Sequence, residues 1–171
     1  MQAADPQREF RQLMVLDAAG RGAGYTGSHT RPWTGHKVGA GYVVAGNVLA
    51  GERVIDAMGA AFISAPDADL DARLLAAIEA GRDAGGQVGG SGHLPERSAA
   101  LIVRGRSPAE ELDLRVDSHP EAVAQLRALR EEWAPYRAFH HLRHVDPARA
   151  PPQEQFVTEL AAAQRRGAAG S

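Results

Sequence analysis

The sequence predicts a layered α+β fold, and three observations carry that expectation. Short apolar runs separated by glycine-containing turns fill the first third of the chain. The apolar period then changes to helical spacing from residue 52. Two further strand-like runs follow before a last helical pattern. Runs of strands interrupted by a pair of helices fit a layered domain better than an alternating, doubly wound sheet. The expected architecture has antiparallel strands, two central helices and a C-terminal helix.

Residues 1–8 are polar and read as a disordered start. FRQLMVLD at 10–17 is the first strand, AAGRG a turn, and AGYTG the start of a second strand. A third strand is centred on Tyr42, Val43 and Val44 within 38–49. Val54, Ile55, Met58, Ala61 and Phe62 then follow helical spacing, and Pro66 ends that segment. Asp67 or Asp69 caps a second helix with Leu70, Leu74, Leu75 and Ile78 on one face and Gly81 near its end. Residues 85–96 form a glycine-rich loop. SAALIVR at 98–104 lacks polar alternation and reads as a strand buried on both faces. LDLRVDS at 112–118 alternates, with Leu112, Leu114 and Val116 on one face and Asp113, Arg115 and Asp117 on the other. His119-Pro120 opens a helix through Val123, Leu126 and Leu129. The chain therefore divides into a start at 1–8, a domain at 9–133, and a Pro-rich extension at 134–171 with one short helix near 156–164.

Composition narrows the function classes. A chain of 171 residues suits one domain, or one with a tail. Nine aromatic residues leave the core to Val, Leu, Ile and Ala. A net charge of −2 gives no electrostatic footprint for nucleic acid and no basic face for a membrane. The absence of Cys excludes disulfides, thiolate nucleophiles and Cys-ligated metals. The N-terminus lacks a signal-peptide apolar region, so a cytoplasmic location is the default.

Several motifs invite chemistry. Gly20, Gly22 and Gly24 resemble a phosphate loop only superficially, because they lead into a strand rather than open a helix. His36 follows Gly35, which lets backbone approach, and an imidazole can serve as acid, base or donor near neutral pH. A histidine that merely fixes a turn is the competing reading. Asn47 follows Gly46 at a strand end, where its amide can stabilise an oxyanion or simply shape a turn. Arg115 and Asp117 share a strand face as an ion pair at a site, or as a solvated polar face. His140 and His144 share a helical face, but a third ligand is lacking, so no metal and no cofactor are expected.

The run WTGHKVGAGYVVAGNVLAGERVIDAM at 33–58, with RQLMVLDAAGRGAGYTG before it and SAALIV and LDLRVDSHP after it, resembles the bacterial family called domain of unknown function 1028. That family is grouped with the N-terminal-nucleophile (Ntn) hydrolases, whose fold is a four-layer αββα sandwich. The resemblance implies amide-bond hydrolysis as the reaction class. It implies a pocket in which His36, Asn47, Arg115 and Asp117 act and which Trp33, Gly35 and Gly46 line. It also implies departures: the family usually carries an acid where Gln87 aligns, and a shorter link to SAAL.

The chain resembles the C-terminal two-thirds of the family domain. The resemblance implies that relatives carry further N-terminal residues, which would supply the first strands, one helical layer and the nucleophile end. Ntn hydrolases use the first residue of the mature chain as nucleophile. Loss of Met1 would expose Gln2, whose amide is not a nucleophile, and Thr26, Ser28, Thr30 and Thr34 are internal. The expectation is a partial Ntn-hydrolase-like scaffold without its own nucleophile, inactive alone, either a fragment or a short natural product. Its expected partners are a small amide or peptide substrate, and the missing N-terminal segment or a second copy. The alternative is a non-catalytic ligand-binding or assembly module on the same scaffold.

Overall fold

Two hairpins stacked face to face make one end of the molecule. In the computed structural model, which describes residues 4–105 and 110–169, β1 (Gln12–Leu16) pairs antiparallel with β2 (Gly22–Thr26), and β3 (Gly35–Gly39) with β4 (Tyr42–Gly46). The third strand expected from the sequence is thus a hairpin. It breaks at Ala40-Gly41, where Gly41 takes φ +77°, a turn conformation that favours glycine. The tips of the two hairpins are pinned together by the Gly41 N–H, which donates to Gly20 O at 3.2 Å.

The other face of β3–β4 is covered by α1 (Glu52–Ser64), which begins after Gly51 and ends before Ala65-Pro66. Val54, Ile55, Gly59 and Phe62 are its buried residues, and Val44, Leu49, Val54 and Ile55 form one core cluster. The helical spacing read from the sequence placed this face correctly. α2 (Leu70–Asp83) packs along α1. Asp69 occupies its N-cap position, though its side chain makes no capping hydrogen bond.

Residues 85–96, expected as loop, contain a small hairpin of β5 (Gln87–Gly89) and β6 (Gly92–Leu94). β7 (Ala99–Val103) and β8 (Leu112–Val116) form the fourth two-stranded antiparallel sheet among the described residues. One face, carrying Leu101, Val103 and Leu112, packs with Leu75 of α2 and Leu126 of α3 (Ala122–Val145) into a second core cluster. The opposite face is open: Ile102 is 50% exposed. The expectation that 98–104 is buried on both faces is therefore corrected. The unbroken apolar run reflects a covered face and an uncovered one, not two covered faces.

The C-terminal part also departs from expectation. α3 continues past Trp133 with Pro135 inside it, and α4 (Gln153–Ala169) follows. Phe139 and Phe156 stack with centroids 4.1 Å apart, which holds α4 against the end of α3. At the N-terminus, Arg8–Phe10 is a 3-10 helix, whereas residues 1–3 of the expected disordered start lie outside the described residues. The fold is α+β, with small antiparallel sheets and four α-helices among the described residues.

Candidate functional site

The interface between the stacked hairpins holds a polar cluster that the strand register explains. Gln12 and Thr26 are register partners, and the face they share turns toward β3–β4. From there the Gln12 Nε2 donates to Gly35 O and Gly46 O, both at 3.0 Å, and reaches Thr26 Oγ1 at 3.1 Å. Gly35 and Gly46 are themselves register partners, so one side-chain amide ties both strands of the second hairpin to the first. The Thr34 hydroxyl donates to Gly46 O at 3.3 Å, and the Thr30 hydroxyl reaches Gly27 O at 2.6 Å.

His36 belongs to this cluster. Its neighbour Lys37 points to the helix side, where Nζ donates to Asp56 Oδ1 at 2.6 Å. Alternation then turns His36 toward β2. The imidazole lies over Gly24, where an added Cβ would collide with the ring. Its Nδ1 sits 2.8 Å from Thr26 Oγ1. Gly35 O and Gly46 O take both hydrogens of the Gln12 amide, so the Thr26 hydroxyl keeps its own hydrogen for Nδ1 or accepts from it; where it donates, the neutral ring carries its proton on Nε2. His36 stays exposed, and no hydrogen bond to Nε2 is seen among the described residues.

The other expected residues divide into two groups. Trp33 packs its ring over Gly35 and against the Val44, Leu49, Val54 and Ile55 cluster. Gly46 sits beneath Leu49, whose Cδ atoms an added Cβ would have to displace. Asn47 is exposed one residue beyond Gly46, and its backbone carbonyl accepts from Gln87 Nε2 at 3.1 Å. These residues and His36 gather at one end of β3–β4. Arg115 lies on the open face of β8 and donates from Nη2 to Oδ1 of Asp117, one residue past the strand's end, at 2.7 Å. Their side chains are 66% and 77% exposed. Arg115 is the register partner of Ala100 on β7, as His36 is of Ala45 on β4. Both pairs lie on strand faces turned away from the helices.

Sequence reasoning missed Gln12 and Thr26. On isolated strands they look like ordinary solvent-facing polar residues, and only their position opposite Gly35, Gly46 and His36 gives them a role. It also missed Asp71, which is buried at the start of α2 between Arg130 and Arg137 of α3, at 2.7 and 3.1 Å. Burial pushes its carboxyl up, but the Arg137 and Arg130 guanidiniums outweigh that and hold it below the usual carboxylate value. Arg127 makes a further pair with Glu79 between the same helices. Among the described residues, no group of three or more His, Asp or Glu is placed to hold a metal ion. No described helix is long and apolar enough to cross a membrane.

Comparison with known proteins gives the chain its relatives. No functionally curated protein matches it. A crystal structure of a Silicibacter pomeroyi protein, itself described as DUF1028, superposes with a TM-score of 0.66 at 31% sequence identity. The match covers 78% of this chain and 56% of that one, so the chain spans little more than half the length of that relative. The model of the "Family of unknown function (DUF1028)" matches residues 1–126. The chain belongs to the DUF1028 family.

Proposed function

We propose that the chain is a partial Ntn-hydrolase-like scaffold that lines a pocket for amide-bond hydrolysis. On this reading residues 9–133 contribute part of an αββα sandwich. His36 serves as base or donor, Asn47 as an oxyanion donor, and Arg115 with Asp117 as the charged wall. Trp33, Gly35 and Gly46 shape the floor. The nucleophile comes from outside this group of residues, and the substrate is a small amide or peptide.

The observation that carries the reading is the His36 imidazole, held by the Thr26 hydroxyl at 2.8 Å on an exposed residue. A histidine oriented through one nitrogen and free at the other is the arrangement general acid–base chemistry needs. The stacking of β1–β2 on β3–β4, with α1 behind, supports the scaffold. It provides a helix layer and two strand layers in the order such a sandwich requires.

The test is turnover by the purified chain on a panel of amide, peptide and acyl substrates. None above blank is expected. Robust turnover that survives His36→Ala would contradict the site. Turnover lost on Thr26→Val would place the nucleophile within this chain and replace the mechanism. A second reading, a non-catalytic ligand-binding or assembly module, is favoured by the mutual satisfaction of Arg115 and Asp117. A solvated pair needs no chemical role to account for it.

A further inference from the structure

One opening in the molecule is bordered by strands on two sides. It is a groove of about 530 Å³ that runs between β4 and β7. Its lining includes the consecutive residues 41–45 on one side and 100–102 on the other. Successive strand residues point to opposite faces. A run of consecutive residues can border one cavity only where the strand presents its backbone edge. The groove is therefore walled by two strand edges. β4 is bonded on its other side to β3, and β7 to β8, and neither strand has a second partner within its named sheet.

The floor and roof are apolar. Met58 and Phe62 of α1 and Leu74 of α2 lie below, and Met14 and Leu16 of β1 lie above. The residues at the mouth are left half exposed: Met14 is 50%, Leu16 49% and Ile102 50% accessible. Two unpaired edges over an apolar floor form a template that natural sheets cover or pair. Edge pairing by an added strand supplies main-chain hydrogen bonds on both sides, and its alternate side chains would meet the helices below and β1 above.

We infer that this slot takes an extended polypeptide segment, paired through its backbone to β4 and β7 and apolar toward α1 and α2. The occupant is a segment equivalent to the part of the Silicibacter pomeroyi relative that has no counterpart here. The match reaches only 56% of that chain, and the edges of β4 and β7 are where this fold has room for more strand. A second copy of this chain fits less well. Its own exposed strand, β1, already lies over the groove and is bonded to β2. The inference stands apart from the proposed chemistry, because its readout is association and not turnover.

The test uses hydrogen exchange on the whole chain, alone and with overlapping peptides tiled across the unmatched part of that relative. In the free chain, the amides of β4 and β7 that are not bonded to β3 and β8 are expected to exchange fast. One group of neighbouring peptides is expected to slow them at least tenfold. Ile102→Glu and Met14→Glu, both at exposed positions, are expected to weaken that binding at least tenfold while the fold stays intact by circular dichroism. Four results would overturn the inference. The edge amides could be protected in a free monomer. No peptide could protect them, or the two substitutions could leave binding unchanged. The chain could dimerise through β4 and β7 with the slot filled by its own copy.

Discussion

The β3–β4 and β7–β8 hairpins are built alike, with five register pairs each, yet one is enclosed and the other half open. β3–β4 has α1 on one face and β1–β2 on the other. β7–β8 has α2 and α3 on one face only. The same alternation of residues therefore gives opposite outcomes for the side chains that point away from the helices. His36 is oriented by Thr26 and stacked on Gly24. Arg115 has Asp117 for its hydrogen bonds and is otherwise in water. A polar residue on a strand becomes a positioned group when a second layer supplies a partner, and stays a solvated charge when that layer is absent.

The largest expected effect tests the enclosed side of β7–β8. Leu126 is 0% exposed and packs with Leu75, Leu101, Val103 and Leu112. Leu126→Ala should cost about 2–5 kcal/mol in denaturant unfolding, through lost transfer energy and the cavity left behind. Ile102→Ala, on the open face of the same hairpin, should cost under about 0.5 kcal/mol, as surface changes do. Equal costs would mean that the open face is covered and the contrast between the hairpins is wrong.

A medium effect tests the stacking. Gly24→Ala drives a methyl group into the His36 ring, and separating or repacking two layers costs about 1–3 kcal/mol. The substitution should also move the His36 ring resonances in NMR, whereas Gly90→Ala, which meets nothing within 4 Å, should leave them in place. Unchanged His36 resonances in Gly24→Ala would separate the imidazole from β2.

The smallest expected effect lies where β1–β2 meets the Ser28 loop. The Glu9 carboxyl is lowered from 4.5 to about 2, first by the Ser28 backbone N–H and then by the Ser28 and Tyr25 hydroxyls and Arg8. A depressed folded pKa stabilises the folded state above the unfolded value, and that contribution is lost as pH falls through the folded one. Local order around Ser28 and Tyr25 should thus weaken between pH 4.5 and about 2, followed through the Tyr25 signals. Glu9→Gln should remove that step. A transition of the same size in the variant would assign it to another group.

Much of the helical part was legible in the sequence, because spacing alone decides which side of an amphipathic helix is buried. Val54, Ile55 and Phe62 of α1 and Leu75 of α2 fall where that spacing puts them. The hairpins were harder. VGAGYVV reads as one strand; Gly39 and Gly41 signal special dihedrals or close approach, but only the backbone shows that the chain turns at Gly41, with φ +77°. The apolar run of β7 looked fully buried, because sequence shows which residues tolerate burial and not whether a layer is there to bury them. Pro135 read as a break, yet α3 carries it within the helix. At the site, His36 stood out by its residue type and its glycine neighbour. Gln12 and Thr26 did not, because their role comes from register partners and layers distant in sequence.

The most direct test of this contrast is the protonation of the His36 ring, read by long-range proton–nitrogen NMR correlations. In the neutral form Nδ1 is predicted to report the hydrogen bond with the Thr26 hydroxyl, with the proton on Nε2 where that hydroxyl donates. Thr26→Val is predicted to shift Nδ1 and to change the tautomer ratio, while Arg115→Ala leaves the ring as it was. A ring indifferent to Thr26→Val would mean that His36 is no better positioned than Arg115.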